Sequence, residues 1–153
     1  MHKPARYILL LLTVLLAACQ APVKEEDIFN VPFSIVASSD DSQLSLAKEL
    51  VIRDKTEWKY LWLAHTGDPR KRPPAIDFRS EMVIAFYLGQ RPTSGYAIEV
   101  QRIRVINDQL LVELVVKRPD PRMQQSMAMT QAHTIIKLPR YDLPVKFLYR
   151  QQK

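Results

Sequence analysis

Cysteine is all but missing from this chain and glycine and histidine are scarce: 153 residues hold one cysteine, three glycines and three histidines. A lone thiol leaves no disulfide framework to propose. No Gly-x-Ser-x-Gly, His-Glu-x-x-His or phosphate-loop pattern occurs, so no motif joins a nucleophile to its base. The expectation is a protein that is not an enzyme and carries no cofactor and no resident metal. Internal repeats at solenoid or propeller periods and low-complexity tracts are also absent. The longest apolar run, Tyr7 to Ala18 interrupted only by Thr13, is too short to span a bilayer as a stable helix.

What is present begins with that run. His2, Lys3 and Arg6 place positive charge ahead of it, and Leu16-Ala17-Ala18-Cys19 closes it with small residues leading into the only cysteine. This is the layout of an export leader, and it resembles a bacterial lipoprotein signal. The resemblance implies lipidation of Cys19 and cleavage before it, with residues 1–18 as signal peptide. A thiol is needed there because a thiolate can take a diacylglyceryl group as a thioether before the leader is cut. Several acyl chains on one residue would anchor the protein stably, each buried methylene contributing about 0.8 kcal/mol. Gln20 stands where an aspartate would, in that family, direct retention at the inner membrane. The outer membrane, facing the periplasm, is the expected location.

Loss of residues 1–18 removes Lys3 and Arg6 from 22 basic residues, and against 16 acidic ones this lowers the net charge from +6 to +4. The excess is spread along the chain apart from Arg70-Lys71-Arg72, which prolines flank as they would a solvated loop. A nucleic-acid partner is not expected. Residues 19–31, polar and unpatterned, read as a flexible tether, and residues 32–153 as a single domain.

The domain reads mainly as strands. Phe33 to Ala37 and Leu50 to Ile52 are short apolar runs. One helix follows, with Thr56 as N-cap, Trp58, Leu61, Trp62 and His65 at helical spacing, and Gly67 ending the pattern. At its C-terminal end His65 is placed to meet last-turn carbonyls or to interact with the helix dipole. Met82 to Leu88 is apolar without alternation, as in a central strand covered on both faces. Tyr96 to Ile106 alternates but changes phase near Arg102, which predicts a bulge, and Asn107-Asp108 predicts a hairpin turn into Gln109 to Lys117. Thr134 to Leu138 and Val145 to Tyr149 bring the total to five to seven strands. The predicted class is α+β, mainly β: an antiparallel sandwich or curved sheet with one packed helix.

Two segments draw functional attention. Met123, Met127 and Met129, with His133 nearby in sequence, have the soft donors of a Cu(I) site, but methionine equally fills gaps or forms adaptable contact surfaces. The second is Gly89 to Tyr96, which holds two of the three glycines. In it Pro92 and Gly95 give a turn signal, Thr93 and Ser94 can bond their own backbone, and Arg91 and Tyr96 are residue types enriched at binding hot spots.

Ile76-Asp77-Phe78, the strand from Glu81 to Phe86 with Leu88-Gly89, Arg91-Pro92-Thr93-Ser94-Gly95-Tyr96, and Thr130-Gln131-Ala132 ahead of Ile135 to Pro139 resemble the C-terminal domain of the protease-complex subunit PrcB, over residues 50–149. The family's Gly-Gly-Tyr is Ser94-Gly95-Tyr96 here. The resemblance implies a non-catalytic envelope lipoprotein that binds and stabilises a protease or another envelope protein. Its partner-binding residues are expected to be Arg91, Pro92, Thr93, Ser94, Gly95 and Tyr96, with the Pro119 to Met129 loop beside them. Two alternatives stand beside that reading. One is a ligand-binding lipoprotein holding a lipid, glycan or metal in a pocket lined by Trp58 and Trp62. The other is an inhibitor similar to chagasin, whose Asn-Pro-Thr-Thr-Gly-Tyr loop Pro92 to Tyr96 resembles.

Overall fold

The computed structural model describes residues 29–150. Cys19, the leader and residues 20–28 lie outside the described residues. Among the described residues eight strands and one helix follow in chain order: β1 (Phe29–Asn30), β2 (Ser34–Ser39), β3 (Ala47–Ile52), α1 (Lys55–Thr66), β4 (Glu81–Leu88), β5 (Ala97–Ile106), β6 (Gln109–Lys117), β7 (His133–Pro139) and β8 (Val145–Arg150). The fold therefore starts earlier than the tether boundary at residue 31 implied. Phe29 and Asn30 pair with Val105 and Arg104, and Val31 is buried in the core.

Two four-stranded sheets form, one in the order β1-β5-β6-β8 and the other β2-β7-β4-β3. Among the described strands all pairings are antiparallel but one: β8 runs parallel to β6, from Leu110↔Val145 to Val115↔Arg150. The expected sandwich with one packed helix is therefore present, and its one parallel pair arises because β8 reaches its place by a crossover from β7, in the opposite sheet.

The main core lies between the sheets. Met82, Ile84, Phe86 and Leu88 of β4 and Ile136 and Leu138 of β7 meet Ile98, Ile103 and Val105 of β5 and Leu110, Val112 and Leu114 of β6. The other face of β4 carries Val83, Ala85 and Tyr87 into a second core with Ile135, Ile52, Trp58 and Leu61 beneath α1. An unalternating run follows from this, because both faces of β4 are covered. Each fully buried aliphatic or aromatic side chain here contributes about 2 kcal/mol.

Local signals account for the connections. The phase change in β5 is a register shift between Val100 and Arg102, and the β5–β6 turn puts Asn107 and Asp108 at φ 49° and 56°. Helix α1 is capped by Asp54 in place of the expected Thr56, its carboxylate accepting from the N–H groups of Thr56 (2.7 Å) and Glu57 (3.0 Å). Gly67 ends it, donating its N–H to the Leu63 carbonyl at 2.8 Å.

On the uncovered face of the first sheet, Glu113 is only 1% exposed although Arg102 and Arg150 beside it are about half exposed. Arg150 Nε lies 2.8 Å from Oε2, Arg104 bonds Oε1, and Arg102 approaches within 3.5 Å. Burial pushes the Glu113 carboxyl up, but the hydrogen bonds from Arg150 and Arg104 outweigh it and hold the group below its ordinary value. Glu113→Gln would leave three guanidinium groups facing one another without a neutralising charge. A loss of about 2 kcal/mol in urea denaturation is expected.

Candidate functional site

The loop after β4 and the loop after β6 are far apart in sequence and joined in space. Arg91 and Thr130 exchange backbone bonds, N–H to carbonyl, at 2.8 and 2.9 Å. The Thr130 hydroxyl donates to the Thr93 carbonyl at 2.8 Å. Ser94 N–H donates to the Ser126 carbonyl at 3.1 Å, and Ser126 N–H returns a bond to Ser94 Oγ at 3.0 Å. Gly95 lies so close to Pro119 that a Cβ on it would sit 2.8 Å from the proline Cβ. The serine in place of the family's first glycine has a use here, since its hydroxyl closes the second link between the loops.

Each loop also braces itself. Asp120 accepts the Arg122 N–H on its carboxylate at 2.9 Å and the Met123 N–H on its carbonyl at 3.0 Å. Arg91 places its guanidinium carbon 5.7 Å from the centre of the Tyr96 ring, and Tyr96 packs on the main core. Pro92 and Gly95 are exposed, while Arg91, Thr93, Ser94 and Tyr96 are half-buried. The large apolar groups facing solvent are the methionines, with Met123, Met127 and Met129 exposed by 69, 83 and 59%. The six residues read from the sequence thus form one rigid half of a two-loop platform, and the methionines crown the other half.

His133 does not join those methionines. It is 2% exposed and lies under α1, its ring stacked on Tyr87 at 6.0 Å and edge-on to His65 at 4.3 Å. The mixed Met–His copper set suggested by the sequence is not assembled, because β7 turns His133 into the second core. Among the described residues no group of three or more His, Cys, Asp or Glu is placed to hold a metal ion.

Sequence reasoning missed the meeting of the two histidines, which no motif signals. Their surroundings are polar but sealed. Ser42 Oγ lies 3.0 Å from His65 Nδ1 and accepts the Leu44 N–H at 3.1 Å. Trp62 Nε1, Tyr87 OH and His133 Nδ1 are buried without a partner. Burial, then the charge of His133, pulls His65 down to about 4, and burial likewise lowers His133. A hydroxyl beside an imidazole has the parts of a nucleophile and base, but with Ser42 fully buried it has no path to a substrate. His65 sits in the last turn of α1 as expected, and its ring there meets the Ser42 hydroxyl.

The tryptophans expected to line one pocket pack against each other instead, their ring centres 5.3 Å apart. Trp58 is 2% exposed and donates its Nε1–H to the Pro74 carbonyl at 3.0 Å, and a groove beside α1 is lined by Trp58 but not by Trp62.

No curated protein and no solved structure matches the chain. Residues 82–139 match the family model described as PrcB C-terminal, a narrower span than the 50–149 of the sequence resemblance. The match opens in β4, closes at the end of β7 and includes both loops of the platform, so the chain carries a PrcB C-terminal-like domain.

Proposed function

We propose that the chain is a lipoprotein of the bacterial envelope, anchored through Cys19 at the outer membrane, whose domain is a non-catalytic accessory module for a protease or another envelope protein. One observation carries the assignment of the surface: inside the PrcB C-terminal-like span, two loops far apart in sequence are locked by hydrogen bonds at Arg91–Thr130 and Ser94–Ser126 and present three exposed methionines. Locked loops lose little entropy on docking, and methionines adapt to a partner's relief. Exposed apolar side chains grouped on one loop are the usual mark of a protein contact. Arg91 and Tyr96 act from below, holding the first loop in shape.

Crosslinked pull-down from envelope membranes tests the reading. The parent protein is compared with Arg91→Ala/Tyr96→Ala and with Met123→Ser/Met127→Ser/Met129→Ser. One envelope protein should be recovered with the parent and fall by about tenfold or more with each variant, as losses at hot spots do. Equal recovery with all three proteins would remove the platform from the interaction.

A further inference from the structure

A groove of about 400 Å³ runs between α1 and the segment that leads towards β4. Ligand sites commonly occupy about 300–1,000 Å³ and combine apolar walls with a few polar groups that fix orientation. Trp58, Ile76 and Phe78 supply the apolar floor, all three belonging to the second core or packed against it. Pro73 and Pro74 form one wall, tied down by the hydrogen bond from Trp58 Nε1 to the Pro74 carbonyl. The rim is cationic: Lys55, Lys59 and Arg72 border the groove, and no acidic side chain does. None of the three makes an ion pair among the described residues, whereas every exposed arginine or lysine that does so meets its carboxylate elsewhere.

We propose that this groove binds a small amphipathic anion, an apolar chain or ring ending in a carboxylate. The apolar part lies along Trp58, Ile76 and Phe78, and the carboxylate sits among Lys55, Lys59 and Arg72. An arginine fork takes a carboxylate by two parallel hydrogen bonds, and the lysines add point charges. The floor alone would accept any apolar molecule and the rim alone any anion, so a ligand that uses the whole groove must be both. Two prolines fix the wall before binding, which limits the ordering cost. This site is separate from the two-loop platform, and its failure would leave the accessory-module reading untouched.

Laurate, kept below its micelle concentration, is titrated into the purified protein while tryptophan fluorescence is followed. Trp58 and Trp62 are the chain's only tryptophans, so the signal comes from the groove floor and the residue one turn beyond it. Dodecanol, which has the same chain without the charge, is the control that needs no variant. Saturable binding of laurate is expected, about tenfold weaker for dodecanol and for Lys59→Gln/Arg72→Gln. No saturable change with laurate would overturn the proposal. So would equal binding of dodecanol, or an unaltered laurate affinity in a variant that keeps the parent's thermal midpoint.

Discussion

Gly89→Ala is expected to destabilise the domain by about 3 kcal/mol or more, the largest effect among the three glycines. Gly89 follows β4 with φ +72°, where a side chain costs about 1–2 kcal/mol by itself. Space makes the position worse. A Cβ there would stand 2.7 Å from the Ala47 nitrogen and 2.9 Å from the Ser45 carbonyl oxygen, both backbone atoms of the chain entering β3. Ser45 cannot retreat freely, since its carbonyl accepts the Gln90 N–H at 2.9 Å. Gly95→Ala is the useful contrast: at φ +90° the added methyl would meet chiefly the Pro119 side chain, at 2.8 Å, where at Gly89 it meets only main-chain atoms. A loss of about 1–2 kcal/mol is expected there, together with separation of the two loops. Urea denaturation of both variants measures the difference. If Gly89→Ala costs no more than Gly95→Ala, the close backbone approach beside β3 is not what restricts Gly89.

Acid should weaken the fold at a pH where most carboxylates still hold their charge. His65 and His133 are neutral in the folded protein, with His65 titrating at about 4, while an unfolded histidine binds its proton near 6.5. Stability from this source is therefore complete above about pH 6.5 and is lost as the pH falls towards 4, by about 3 kcal/mol for His65. His133 adds a loss of the same sign, but the rings are 4.3 Å apart and the first proton opposes the second, so the two do not sum. Asp41 favours the protonated form of both rings and Lys71 opposes it at His65. The carboxyls of Asp41, Asp68, Asp77, Glu81 and Glu113 are held below their ordinary values, so the stability they add is present at neutral pH and is lost only in more acidic solution. Urea midpoints at pH 7 and pH 4.5 should differ strongly in the parent and less in His133→Phe, which keeps a ring against Tyr87. A midpoint that does not move across that interval would show that the histidines carry no such linkage.

Signals written within a few residues were legible in the sequence. β4 announced its two covered faces by an unbroken apolar run, the β5 bulge by a change of phase, and the β5–β6 turn by Asn107-Asp108. Misses came where distant residues decide. β1 is two residues long and exists only because β5 offers an edge, and β8 lies parallel to β6 through a crossover that no local pattern encodes. Asp54 displaced Thr56 as cap because one carboxylate reaches two free N–H groups. The site divided in the same way. Pro92 and Gly95 marked a turn, but its clamp on Ser126 and Pro119 and the burial of His133 away from the methionines depend on how the two sheets stack.

β4 and β7 each belong to both cores, so α1 and the sandwich have no boundary at which one could melt and leave the other intact. Stripping the helix away would bare one whole side of these strands to water, and opening the sheets would bare the other. Their central amides are consequently released to solvent only when the entire domain opens, and the two strands that launch and receive the platform loops form its slowest-exchanging, most persistent element.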